Sequence, residues 1–178
     1  MEGQLVVTGE DASGGASSEY VRAARAEVND AYRLAGYLLG DATEAQDAVQ
    51  DALVKAWRGW PSLRDPEAFG PWFERIVVNV CRDRMRRHRT LRMVGLDAAG
   101  DVESADPFGS MFAGDEVAGA VGRLSPDQRI VIALRFWRDL TLEQVAETLG
   151  LPLGTVKSRL HYALRALRQE LGGTIDEA

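Results

Sequence analysis

The stretch that most restricts what this chain can become is residues 141–167, TLEQVAETLGLPLGTVKSRLHYALRAL. Its apolar residues recur at helical period in two short runs on either side of Gly150, which predicts two helices joined by a tight turn. Thr141 can cap the first helix, and Gln144, three residues on, can reach back to complete a capping box. Ala146 is small enough to let the helices approach, Gly150 tolerates a left-handed turn, and Val156 anchors the second helix inward. Leu142, Val145, Leu149, Leu151, Leu160 and Leu167 fill the remaining inward positions. The other face of the second helix carries Thr155, Lys157, Ser158, Arg159, Tyr162 and Arg165. Such donors suit phosphates and the acceptor edges of bases in a major groove. A helical hairpin with a solvated basic face is the plain alternative; the combined spacing favours a DNA-binding helix-turn-helix.

A formal charge of −6 argues against nucleic acid until it is divided along the chain. Residues 1–20 carry −4, residues 21–92 carry +3, residues 93–122 carry −6 with no base, residues 123–171 carry +3, and the tail carries −2. Two mildly basic modules thus flank an acidic connector. Screening confines charge effects to about 8–10 Å at physiological salt, so each module can meet DNA on its own terms.

The 178 residues suit one or two small domains, and 46% hydrophobic content is enough to build cores. No apolar run approaches a membrane span, and the N-terminus lacks the layout of a secretory signal. A single cysteine excludes an internal disulfide framework and points to a reducing cytoplasm. Cys81 and His88 could share a helix face, but two ligands do not make a zinc site, so a buried thiol and no metal are expected.

Residues 1–17 are rich in Gly, Ser and acids and read as a disordered tail. A helical pattern runs from about residue 18 to 39 and ends at Gly40. The next begins near residues 41–43 and continues to about 60, with the stripe Ala45, Ala48, Val49, Ala52, Leu53, Ala56 and Trp57 on one side. Asp47, Gln50, Asp51 and Arg58 face the other way. Residues 59–66 break the pattern with turns, and Asp65-Pro66 starts another helix that reaches about residue 89, directly or after a kink at Gly70-Pro71. Trp72, Phe73, Ile76, Val77 and Val80 are its candidate core. In its second half, residues 81–89 hold five arginines against one acid. Asn79, Arg82, Asp83, Arg86 and Arg89 fall three or four apart and can line one stripe able to hold phosphates. A solvated helix end favoured by the dipole is the plain alternative. Residues 93–122 read as a linker and residues 172–178 as a tail. Ser125, Pro126 and Gln128 restart helix, with Ile130, Ala133, Leu134 and Trp137 packing on the helix-turn-helix. Alternating strand patterns are absent, so the class is all-α: two small helical domains on a flexible acidic linker.

Three segments together resemble the extracytoplasmic-function group of bacterial RNA polymerase sigma factors: ATEAQDAVQDALVKAWRGW, FGPWFERIVVNVCRDRMRRHR and LSPDQRIVIALRFWRDLTLEQVAETLGLPLGTVKSRLHYALRAL. The resemblance implies that Asp47, Gln50 and Asp51 meet core RNA polymerase. It implies that Asn79, Asp83, Arg84, Arg86 and Arg87 face the −10 element, with the loop from Trp60 through Arg64 to Asp65 accepting a flipped base. The −35 element would fall to Thr155, Lys157, Ser158, Arg159 and Tyr162, and the acidic connector would thread toward the polymerase active site. An anti-sigma factor is an implied partner. Two departures stand out. Gln46-Asp47 replaces a frequent Glu-Asp pair, and His161-Tyr162-Ala163-Leu164 lacks further arginines, which should weaken −35 affinity and flatten its salt dependence.

The implied action is reading of a −35 duplex and capture of melted −10 DNA, without cofactor, metal or small-molecule substrate. A signal-controlled helix-turn-helix regulator would need a sensory domain where residues 18–92 show an arginine helix. An enzyme would need a constellation that two histidines, one cysteine and no phosphate loop do not supply. An adaptor that binds only protein would show no promoter-dependent DNA binding.

Overall fold

The computed structural model describes residues 11–93 and 115–172, and among these residues every regular element is helical. Three long helices make an N-terminal unit: α1 (Asp11–Leu39), α2 (Ala42–Gly59) and α3 (Phe69–Met93). Asp41 caps α2, its carboxylate accepting from the Glu44 N–H at 2.8 Å. The buried face of α2 is mostly alanine (Ala45, Ala48, Ala52, Ala56) around Val49, and these small side chains let α1 and α3 lie close. Larger residues come from the neighbours: Leu34 and Leu38 from α1, Phe73, Val77 and Val78 from α3. Tyr20, Trp60, Phe69 and Phe73 close one end as an aromatic cluster, with ring centroids 5.3 to 6.0 Å apart. The Tyr20 hydroxyl donates to the Leu53 carbonyl at 2.7 Å, so the ring is also tied to α2.

Two short 3-10 turns, Trp60–Ser62 and Pro66–Ala68, link α2 to α3. Asp65 caps the second, as its place before Pro66 implies. Pro71 causes no kink. It falls in the first turn of α3, where its missing N–H has no helical acceptor to lose.

The C-terminal unit contains α4 (Asp115–Arg123), α5 (Pro126–Ile132), a π-helical turn (Ala133–Trp137), α6 (Leu142–Leu149) and α7 (Leu153–Glu170). Both expected capping boxes form, Ser125 with Gln128 and Thr141 with Gln144. Gly150 ends α6 at φ 62°, ψ 39°. Val145, Val156, Ala163 and Leu167 are buried, whereas Leu142, Leu149, Leu151 and Leu160 are only half-buried.

The boundaries differ from expectation in two places. Helix α1 starts at Asp11, seven residues before the expected start, so only residues 1–10 of the expected tail lie outside the described residues. The expected linker of residues 93–122 is also shortened, because its end is helix α4. Ala120 and Val121 are buried there, and Val117 is half-buried against the core. The connector acids Asp97, Asp101, Glu103 and Asp106 fall outside the described residues; Asp115 and Glu116 belong to α4. The expected tail keeps only Gly172 among the described residues.

The two units touch. Helix α3 packs on α5 and α6, and α1 on α5 and the π turn. The π turn, closed by the Arg138 N–H donating to the Ala133 carbonyl at 3.0 Å, re-aims the residues after it. Trp137, the last residue of the turn, is half-buried against the core and reaches the N-terminal unit as well. It stacks on Tyr37 of α1, rings 6.2 Å apart and 15° from parallel.

Candidate nucleic-acid interface

Helix α7 sorts its side chains as a reading helix requires. Val156, Ala163 and Leu167 are buried, while Lys157, Ser158, Tyr162 and Arg165 are exposed and Thr155 and Arg159 half-exposed. Tyr162 is 57% exposed, unusual for an aromatic ring with a core beside it, and its ring lies edge-on to His161. The Ser158 hydroxyl donates to the Thr155 carbonyl at 3.0 Å. The helix follows Pro152, which supplies no side-chain cap, and the Thr155 N–H donates to the Pro152 carbonyl at 2.9 Å.

The arginine half of α3 is less uniform than its sequence. Arg86, Arg87, Arg89 and Asp83 are exposed and Asn79 is half-exposed, its Oδ1 accepting from Arg82 at 2.6 Å. Arg84 instead turns toward α2, where it donates to Glu44 Oε2 at 2.9 Å and Asp51 Oδ2 at 2.6 Å. Burial alone would lower the pKa of this guanidinium, but the hydrogen bonds to Asp51 and Glu44 outweigh that and hold it above its ordinary value. Two carboxylates on one guanidinium leave little of Arg84 for a phosphate. It braces α2 against α3.

Trp60 and Arg64 also part company. Arg64 is exposed in the loop, whereas the Trp60 ring is 8% exposed and meets Tyr20 and Phe69 edge-on. The tryptophan fixes the loop to the core and offers no open face for a base to stack on.

On α2, Asp47, Gln50 and Asp51 are exposed along one side. Val54 and Trp57, 49% and 46% exposed, continue that surface toward the helix end. Trp57 belongs by spacing to the inward stripe, but Tyr20 holds its ring at the rim, centroids 5.0 Å apart. Exposed apolar side chains beside acids mark a protein-binding face better than acids alone. Sequence periodicity assigns both residues to the wrong side or to neither.

The structure joins the two arginine faces. Asp127, in the first turn of α5, accepts from Arg86 of α3 at 2.9 and 3.1 Å and lies 3.5 Å from Arg159 of α7. Cys81 is fully buried, and burial pushes its thiol up to about 12. His88 is exposed 3.6 Å from Glu44. No group of metal-binding side chains occurs among the described residues, and no described helix is long and apolar enough to cross a membrane.

Known families account for the two units. Residues 23–90 match the model of sigma-70 region 2, and residues 120–169 match that of sigma-70 region 4. The chain is 38% identical over 156 residues to the ECF RNA polymerase sigma factor SigL of Mycobacterium tuberculosis, covering 80% of this chain and 85% of that protein. It is 33% identical over 153 residues to the RNA polymerase sigma-E factor of Streptomyces avermitilis, with 86% and 83% covered. Among solved structures, the sigma factor RpoE in complex with the anti-sigma factor NepR from Bartonella quintana superposes with a TM-score of 0.68 at 26% identity, covering 89% of this chain and 99% of that one. With both regions in order and relatives of this identity over most of its length, the chain belongs to the extracytoplasmic-function family of bacterial RNA polymerase sigma factors.

Proposed function

We propose that this sigma factor directs promoter-specific initiation through three separate surfaces, and that the sorting of α7 into one buried and one cationic face carries the reading. Helix α7 enters the major groove of the −35 element with Thr155, Lys157, Ser158, Arg159, Tyr162 and Arg165. Asn79, Asp83, Arg86 and Arg87 on α3, with Arg64 in the preceding loop, hold the separated −10 strand. Asp47 and Gln50 on α2, with Asp51 beside them, dock on core polymerase, and Val54 and Trp57 supply the apolar part of that contact. Arg84 and Trp60 act one step back, Arg84 by fixing α2 to α3 and Trp60 by fixing the loop.

The chain itself then performs no chemistry. Unstacking DNA costs a few kcal/mol, and a surface that binds the open strand better than the duplex offsets that cost and favours the melted state. Polymerase supplies catalysis and sets the spacing of the two units, which places the protein in the cytoplasm. The structural likeness to a sigma factor held by its anti-sigma factor supports an inhibitory protein partner for this chain as well.

The test is direct. Purified chain added to core polymerase should confer initiation at a defined set of promoters in a fragmented genomic library, and the start sites should share two sequence elements. Random initiation would remove the reading.

A further inference from the structure

Arg82 stands apart from the other arginines of α3. Arg86, Arg87 and Arg89 are exposed, whereas Arg82 is half-buried, and its Nε–H is enclosed with no hydrogen-bond partner among the described residues. Arg84 and Arg86 donate to carboxylates of other elements. Arg82 instead donates to an amide on its own helix face, from Nη2 to Asn79 Oδ1 at 2.6 Å. An enclosed Nε leaves this guanidinium little room to swing out toward a phosphate.

The chemistry of the pair settles which way the Asn79 amide points. A guanidinium has five N–H donors and no acceptor, so the amide atom beside it is the oxygen. The amine, Nδ2, is then the free end: it makes no hydrogen bond among the described residues, and Asn79 is half-exposed. An unheld asparagine serves a base with either end, because turning the amide over exchanges donor for acceptor. Held by Arg82, Asn79 offers its two N–H groups, and the positive charge on the oxygen side strengthens them as donors. One turn further along the stripe, exposed Asp83 offers the opposite chemistry, acceptor oxygens only.

We propose that Arg82 is a positioning residue for −10 recognition. By holding Asn79 Oδ1 it makes Asn79 a donor-only reader, which selects a base presenting an acceptor (a keto oxygen or an unprotonated ring nitrogen) and rejects one presenting an amine in the same place. A misplaced amine meets two N–H groups and leaves both sides without a partner. Arg82 itself touches no DNA, which takes it out of the phosphate-holding stripe that its spacing suggests. The proposal rests on the DNA role given above for Asn79.

The test uses holoenzyme, the full chain on core polymerase, with a promoter library randomised through the −10 element and the open complexes sequenced. Arg82→Leu keeps much of the stem and removes the enclosed N–H, so its thermal midpoint should hold. At one −10 position the preference for the best base over the worst should shrink about three- to tenfold, one hydrogen bond's worth, while the other positions and the −35 element keep theirs. The salt slope of binding should not change, whereas loss of a phosphate contact to a single strand would take about 0.7 from it. Asn79→Asp keeps the bond to Arg82 and presents an oxygen in place of the amine, so at that same position the order should turn toward bases with an amine. This variant carries the test if Arg82→Leu loses helicity, and an unchanged order in it would overturn the proposal. Uniform weakening over all sequences in Arg82→Leu, with a lower salt slope, would overturn it too and make Arg82 a phosphate contact. Asn79→Ala separates the proposal from the reading beneath it. Preference lost at one position in Asn79→Ala but kept in Arg82→Leu would overturn the positioning role alone, and preference kept in both would overturn the DNA role of Asn79 as well.

Discussion

Gly150 turns the chain at φ 62°, a left-handed conformation that costs a residue with a side chain about 1–2 kcal/mol. A Cβ there would stand 2.8 Å from Arg75 Nη2, the tip of a flexible side chain that can move aside. The backbone cost decides, so Gly150→Ala should lower the unfolding free energy by about 1 kcal/mol. A urea melt checks this: the midpoint should drop at unchanged slope, and an unmoved midpoint would mean the turn accepts any L residue. This glycine was legible in the sequence because its demand is local, set by the capped helices on either side. Arg84 was not. Spacing groups it with the other arginines of α3, and its partners Glu44 and Asp51 lie 40 and 33 residues away in the chain. Only the packing of α2 on α3 brings them into reach.

Among the elements, α2 and α7 carry the sharpest consequences. Asp51→Arg is an ambiguous probe of polymerase docking, since it would set a second cation against Arg84 and loosen α2 as well. Asp47→Arg and Gln50→Arg reverse or add charge on the same exposed face and leave the two carboxylates that hold Arg84, Glu44 and Asp51, in place. Each should weaken core-polymerase binding tenfold or so while leaving the thermal midpoint within about 2 °C, as exposed substitutions usually do. Retention of full binding by both would move the docking face elsewhere. On α7, Arg159→Ala should abolish −35-dependent transcription and reduce the salt slope of duplex binding by about 0.9, one phosphate contact's worth. An unchanged slope would mean Arg159 meets bases only, or not DNA at all. Caps and apolar stripes made these helices readable in advance. The starts of α1 and α4 were not, because glycine and serine lower helix propensity while tertiary burial of Tyr20, Ala120 and Val121 overrides it.

At the scale of the whole molecule, the sequence showed two basic units and their order, but not that they touch. Part of the contact comes from the π turn and the residue after it, Trp137 on Tyr37 and Arg138 on Glu74 and Asp30, and no local pattern announces that turn. The same contact buries Tyr37, and its phenol is pushed up to about 12 by burial, with Arg129 pulling the other way. Cys81, in the core of the N-terminal unit, is raised from 9.0 to about 12 for the same reason. In both groups the neutral, protonated form is the one the fold accepts. Their contribution is therefore fully present below the unfolded values of 9.0 and 10.0, and is lost as pH rises toward 12. Each tenfold change in proton affinity is worth about 1.4 kcal/mol, so the loss reaches a few kcal/mol, a large part of a small protein's total stability. Urea melts at increasing pH should show stability level to about pH 9 and falling steadily above it. Tyr37→Phe should flatten the upper part of that fall whatever it does to the absolute value, since the slope counts only protons released on unfolding. A steep fall that persists unchanged in Tyr37→Phe would show that the phenol remains in water when the two units meet.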